Sequence, residues 1–301
     1  MDKEIEELDY ELRMQGLEGE ASADKYVEGL ELHRAAREGQ LETVKFLVEE
    51  KHRSPMYRNH NGDTALHLAA VGGSLEVLKY FVTETYSNPG CLDRLGLTPL
   101  HLASRQGHLP IVQYMVGEQQ IDPECKDQYG NTPLHRACAG GHLRVVRFIT
   151  AEITKYTHTI EPLSDIKNKW NSTPLHTAVI NGHLDIVRFF ISEQNCDPNI
   201  PGQYGSTPLH YAAEFGQLHI VKYFTEEQGC DLLCLNDLSQ TPLHQAALNG
   251  HTDIVKFLTV EMQCDPKYRD PWQNTPLHNA AWEGHIDVVK FLTLEMHCDP
   301  M

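Results

Sequence analysis

Apolar residues in this chain come in short paired bursts separated by polar stretches. The unit around His210 shows the pattern most fully. Thr207-Pro208-Leu209-His210 opens it, and Leu209, Ala212 and Ala213 form a small apolar face. Threonine caps free backbone N–H groups, and proline suits the first helical position, where no N–H is needed. Gly216 ends this segment, since glycine takes the left-handed conformation of a helix C-terminus without strain. Leu218, Ile220, Val221, Tyr223 and Phe224 follow at helical spacing. A polar stretch from Asp231 to Ser239 leads to the next Thr-Pro. The pattern predicts helix, turn, helix and loop.

The unit recurs. Its histidine stands at His33, His67, His101, His135, His176, His210, His244 and His278, at intervals of 34 residues with a single interval of 41. Three further columns keep step in all eight copies: a glycine (Gly39 to Gly284), an aromatic residue (Phe46 to Phe291) and a glutamate (Glu50 to Glu295). One helix pair cannot close a core, whereas stacked pairs can, so the expected fold is quasi-one-dimensional.

The blocks Thr132-Pro133-Leu134-His135, Thr207-Pro208-Leu209-His210 and Thr275-Pro276-Leu277-His278, with the alanines and Gly-His or Gly-Gln steps that follow, resemble the ankyrin repeat. The resemblance covers about residues 31–301. It implies an all-α solenoid of stacked helix-turn-helix repeats with hairpin-like finger loops. It also implies protein binding through the finger tips and the exposed side of the first helices, on a concave face. This chain departs from the family pattern in two linked ways. Its repeat is one residue longer than the usual ~33, and the glycine that usually follows the second helix survives clearly only as Gly229. The second helix or its exit is therefore expected to be one residue longer, with a glutamate at its end opposing the helix dipole.

Residues 1–30 lie outside the repeats and are acidic. Ile5, Leu8 and Leu12 share one helical face there, which reads either as a short helix capping the stack or as a solvated tail. The longer interval places a seven-residue insertion near 150–165, as extra helix or bulging loop. The eighth copy keeps an interior-type pattern at Ile286, Val288, Val289, Phe291, Leu292 and Leu294. A terminal repeat needs a polar outer side, so this pattern predicts either a longer polypeptide or a partner over that end.

Composition narrows the function classes. The 301 residues carry a net charge of −17, which opposes nonspecific binding to nucleic acid or anionic membrane. No apolar run approaches the ~20 residues of a spanning helix, and the N-terminus lacks a secretory pattern. The expected compartment is the cytoplasm or the nucleus. Most of the eight cysteines recur in register with the repeat, which predicts free, reduced thiols packed as small hydrophobes. The repeat histidines are strung out one per copy and do not converge as a zinc site requires. No phosphate loop, Gly-x-Ser-x-Gly or His-Glu-x-x-His stands in the chain. The expectation is no enzyme, no cofactor, no metal and no small-molecule substrate. Basic residues from Lys45 to Lys290 and the glutamate column form two stripes on the second helices, expected to give scattered surface ion pairs.

If repeating columns fix the fold, function falls to the varying ones. The tip position, six residues before each histidine, reads Asn61, Leu95, Tyr129, Trp170, Tyr204, Leu238 and Trp272. The exposed end of the first helix adds Ile180, Phe215, Leu248 and Trp282. Arg58, Arg94, Lys126, Lys167, Lys169 and Arg269 flank the tips. Aromatic residues and arginine dominate interface hot spots. The expected protein-binding set is therefore Leu95, Tyr129, Trp170, Tyr204, Phe215, Leu238, Trp272 and Trp282 with Arg94, Lys169 and Arg269. The competing reading is that neighbouring tips merely cover one another. Two other function classes stand beside this one: a regulatory or targeting arm of a longer enzyme or channel, and single-strand nucleic acid binding, which the net charge disfavours.

Overall fold

The computed structural model describes residues 20–156, 163 and 166–299, and within them the chain forms sixteen helices in eight pairs. It divides into two units, Met1–Gln128 and Tyr129–Met301. The first unit holds α1 (Glu20–Glu38), α2 (Leu41–Lys45, continued by a π turn Phe46–Glu50), α3 (Ala65–Gly72), α4 (Leu75–Thr83), α5 (Pro99–Gln106) and α6 (Leu109–Gln113, continued by Tyr114–Glu118). The first helices α1, α3 and α5 stack in order, as do the second helices α2, α4 and α6.

The second unit holds α7 (Pro133–Gly140), α8 (Leu143–Tyr156), α9 (Pro174–Ile180), α10 (Leu184–Arg188 and π turn Phe189–Glu193) and α11 (Pro208–Glu214). It continues with α12 (Leu218–Lys222 and Tyr223–Glu227), α13 (Pro242–Leu248), α14 (Thr252–Lys256 and Phe257–Glu261), α15 (Pro276–Glu283) and α16 (Ile286–Lys290 and Phe291–Glu295). Its first helices α7, α9, α11, α13 and α15 stack in sequence. Small residues at the stacking positions, such as Ala137, Ala178, Ala212, Ala246 and Ala280, are completely buried.

Repeat histidines lock the helix starts to the loops that follow. In seven repeats the N-cap threonine and the histidine at the third helical position form a reciprocal capping box. The Thr173 backbone N–H donates to His176 Nδ1 at 3.2 Å, and His176 Nε2 donates to the Ile200 carbonyl of the following loop at 3.1 Å. His67 to Leu97, His135 to Ser172, His210 to Gln240 and His244 to Asn274 repeat that bond. A carbonyl can only accept and an amide N–H can only donate, so the ring is held neutral with its proton on Nε2. Burial pushes the pKa of His33, His67, His210 and His244 below the ordinary value, and that of His176 down to about 4.

The second histidine set reaches backwards. His108, His251 and His285 donate from Nε2 to the carbonyls of Val71, Glu214 and Leu248 at 2.9 Å, and His183 to Ala139 at 3.3 Å. Those carbonyls end the preceding first helix, where helical partners run out. The rings lie over the column glycines. A Cβ on Gly73 would come within 2.6 Å of His108, and Gly73 itself has φ 76°.

The extra residue of the repeat is absorbed at the end of the second helix. Backbone bonds there skip five residues, as in Lys51 to Phe46, Gln194 to Phe189 and Met262 to Phe257. A left-handed residue follows: His52, Tyr86, Gln120, Asn195, Gly229, Gln263 or His297, with φ between 51° and 61°. The next N–H then closes back onto the helix, as in Cys196 to Phe190 and Cys264 to Leu258, both 2.9 Å. This is a helix cap widened by one residue, and it keeps the left-handed turn although six of those seven residues are not glycine.

The two charged stripes form a ladder between repeats, more ordered than the scattered pairs expected. Arg147 lies over the Phe189 ring at 4.7 Å and pairs with Glu193, and Arg188 lies over Tyr223 at 4.5 Å and pairs with Glu227. Lys79, Lys222 and Lys256 lie over Tyr114, Phe257 and Phe291. All eight cysteines are free, six buried and two, Cys125 and Cys234, half-buried. Burial raises their thiol pKa values, to about 11 for Cys125, Cys196, Cys230 and Cys264.

The expectation for Ile5, Leu8 and Leu12 falls outside the described residues. The first repeat's opening helix begins at Glu20 rather than near residue 31, because Leu30-Glu31-Leu32-His33 lacks the Thr-Pro start that delimits the later copies. Part of the insertion is extra helix: α8 runs unbroken to Tyr156, with no π turn.

Candidate functional site

Five of the fingers are tight loops braced by an Asn or Asp at the base. Asp93 Oδ1 accepts from the Leu95 and Leu97 backbone N–H groups at 2.8 and 2.7 Å. Asn59, Asn168, Asn236 and Asp270 do the same in their fingers. A rigid base holds the tip side chain outwards while the backbone polar groups stay satisfied.

In the first unit the tip residue Leu95 is exposed, and so is Arg94 beside it. The Arg94 N–H donates to the Asn61 carbonyl at 3.0 Å, tying one finger to the next. Arg58 donates to the Gly62 and Leu92 carbonyls at 2.6 Å, which makes it a brace between fingers.

In the second unit Tyr129, Trp170, Tyr204, Leu238 and Trp272 are all exposed, the two tryptophans by 44% and 62%. Phe215 and Trp282, at the ends of α11 and α15, are exposed by 45% and 87%. These values decide the placement of all three tryptophans: none belongs to the core. Ile180 and Leu248 are half-buried. Tyr129 stacks on Trp170, with ring centroids 5.5 Å apart and planes 22° from parallel, so mutual covering of the tips occurs at that pair. Lys169 and Arg269 are exposed; Arg269 also donates to the Gln273 carbonyl of its own finger at 2.9 Å.

Two openings border these residues. One, of about 460 Å³, lies between the Trp170 and Tyr204 fingers and reaches Asp237. The other, of about 600 Å³, is lined by Leu248, Asn274, His278, Asn279, Ala281 and Trp282. Asn279 Nδ2 is buried there without a hydrogen-bond partner among the described residues. Sequence reasoning missed the apolar loop residues Leu92, Leu233 and Leu235, which are exposed near the tips by 52%, 56% and 46%. Their signal was available, since Leu92 and Leu235 sit at a varying position one residue before the base of the finger.

Among the described residues no group of histidine, cysteine and carboxylate side chains has the geometry to hold a metal ion. No described helix is long and apolar enough to cross a membrane.

Paired helices stacked through small residues, joined by projecting fingers and stapled by a recurrent capping histidine, define a helical repeat protein. The ankyrin repeat model (three copies) matches residues 32–127, 86–160, 152–234 and 228–301. The chain belongs to the ankyrin repeat family, whose members generally mediate protein–protein interaction and are typically non-catalytic. A comparison with curated proteins finds no match.

Proposed function

We propose that this chain is a non-catalytic scaffold or adaptor that holds segments of partner proteins on its finger tips and first-helix ends. The observation that carries the reading is the exposure of every apolar residue in the expected set: Leu95, Tyr129, Trp170, Tyr204, Phe215, Leu238, Trp272 and Trp282. Burying such residues against a partner removes apolar area from water, and large amphipathic rings do so at low entropic cost. His67, His135, His176, His210 and His244 support a non-catalytic role, since both ring nitrogens are spent on backbone bonds that hold the fold. Eight free thiols suit a reducing compartment, the cytoplasm or the nucleus.

The test is affinity capture with the parent chain and with Trp170, Tyr204 and Trp272 changed together to Ser, alongside thermal unfolding of both. The reading expects lost partners and a nearly unchanged midpoint. Retained partners with a sharply lowered midpoint would show that the tips serve only packing.

A second reading has its own support. Ala281 is exposed, whereas its counterparts Ala36, Ala70, Ser104, Cys138, Val179, Ala213 and Ala247 are all buried, and Ile286 is exposed by 63%. That face matches one covered by further protein, as in a regulatory or targeting arm of a longer enzyme or channel. A reading frame that continues into catalytic or channel sequence would establish this; one that stops would remove it.

A further inference from the structure

The finger row of the second unit breaks at one place that also carries an aromatic pair. Elsewhere a tip carbonyl accepts from an N–H of the following finger: Tyr129 from Lys169 at 3.0 Å, and Tyr204 from Asp237 at 2.8 Å. Between the Trp170 and Tyr204 fingers no such bond forms among the described residues. The Gln203 N–H turns instead to the Tyr211 hydroxyl at 3.0 Å. The cause is local. Gly202 stands where the other fingers carry their bracing Asn or Asp, and the Tyr211 ring lies 3.0 Å from where a Cβ would be. The row also lacks this bond after Leu238, where the matching residue Pro271 has no N–H to donate, but the exposed Trp170 and Tyr204 flank the first break, where the groove of about 460 Å³ opens.

Two acceptors mark this groove. The Trp170 carbonyl has lost its finger-to-finger donor, and the Asp237 carboxylate is exposed at the far side. Asn171 Nδ2 is committed to the Gly202 carbonyl at 3.1 Å. Lys169 is the one cation among the lining residues. Tyr204 holds a left-handed φ of 53° at its finger tip, where the tips Trp170, Leu238 and Trp272 do not, a costly conformation for a bulky residue. Two aromatic side chains, a carbonyl and a carboxylate complement a flat cation with in-plane N–H donors. Guanidinium stacks on aromatic faces and donates in a fork, which an ammonium does not. The net charge of −17 draws a basic segment towards this surface.

We infer that this groove takes an arginine side chain from a basic segment of a partner protein. The inference rests on the proposed interaction role of the finger tips and adds the chemistry of one contact.

The test uses the full chain and four blocked tripeptides, acetyl-Gly-X-Gly-amide with X as arginine, lysine, citrulline or glutamate. Binding is read from the Trp170 indole N–H resonance, assigned with Trp170→Phe. The arginine peptide is expected to shift it saturably, and the citrulline peptide, equal in shape and uncharged, to bind at least about threefold more weakly. Asp237→Asn, at an exposed position, is expected to weaken the arginine peptide about threefold or more without moving the unfolding midpoint. Equal binding of citrulline, preference for glutamate through Lys169, or indifference to Asp237→Asn would each overturn the inference. If the arginine peptide leaves Trp170 unmoved while the triple Ser variant still loses its partners, the groove assignment falls and the wider interaction role stands.

Discussion

The widened helix caps make a quantitative claim about single residues. His52, Tyr86, Gln120, Asn195, Gln263 and His297 hold φ between 51° and 55° where Gly229 holds 61°. A non-glycine residue in that conformation costs roughly 1–2 kcal/mol. Replacement by glycine removes that cost and adds back roughly 0.5–1 kcal/mol of unfolded-chain freedom. Tyr86 is 87% exposed and Gln263 is exposed, so neither substitution sacrifices much packing. Tyr86→Gly and Gln263→Gly are each expected to stabilise by about 0.5–1 kcal/mol. Gly229→Ala is the mirror experiment, and its expected cost is about 1 kcal/mol.

Gly117 separates dihedral angle from residue type. It sits in the π turn of α6, with nothing within 4 Å of where a Cβ would stand and no left-handed φ. Gly117→Ala should therefore stabilise by up to about 1 kcal/mol, the opposite sign to Gly229→Ala. Urea unfolding of the four variants reads all the signs. If Gly229→Ala is neutral while Tyr86→Gly and Gln263→Gly destabilise, the left-handed exit does not exist, and the extra residue of the repeat is absorbed elsewhere.

Further expectations follow from the same contacts. Histidines held neutral have folded pKa values below the unfolded 6.5, so their contribution is complete above about pH 6.5 and is lost as pH falls. For His176, with a folded value of about 4, the loss approaches about 3 kcal/mol; unfolding midpoints measured from neutral to about pH 4 check this, and a flat profile would contradict the neutral ring. Burial-raised thiols predict that a disulfide reagent at about pH 8 labels the native chain slowly and all eight cysteines after unfolding; rapid native labelling would contradict it. The Arg147–Glu193 and Arg188–Glu227 pairs are exposed, so replacing both arginines by Met is expected to change stability little at physiological salt; a large loss would mean the ladder does more than decorate the surface. In the triple Ser variant, any stability loss should trace to Trp170, which stacks on Tyr129, and Trp272→Ser alone should be silent.

The repeating columns were legible in the sequence because each meets the same physical demand in most copies. His67 and its counterparts must accept from a threonine N–H and donate to the next loop, so the residue recurs. Gly73 and its counterparts must turn left-handed, four of them beneath a histidine ring of the next repeat, so glycine recurs. The aromatic column meets a cation of the preceding repeat in five places, and at Arg147 and Arg188 the glutamate column is used as well. The varying tips were legible by subtraction: residues that no fold contact prescribes stood out as exposed Leu95, Trp170 and Trp272.

What escaped the sequence is of a different kind. Nothing in the letters of His52 or Gln263 announces a left-handed backbone, since these residues tolerate that conformation rather than require it. The π turns are equally silent, because Phe46 or Phe257 would serve an α turn as well. The break in the finger row falls between these cases. Gly202 departs from a bracing column that runs through Asn59, Asp93, Asn168, Asn236 and Asp270, yet the departure gains meaning only once Tyr211 is seen filling the space it leaves. A repeat array reveals its fold through agreement among copies and its individuality through disagreement. The one finger that abandons its brace keeps an exposed Tyr204 in a costly backbone conformation. At Tyr86 the same conformation serves a helix exit; at Tyr204 no α-helix ends, and the inferred arginine contact would supply the reason.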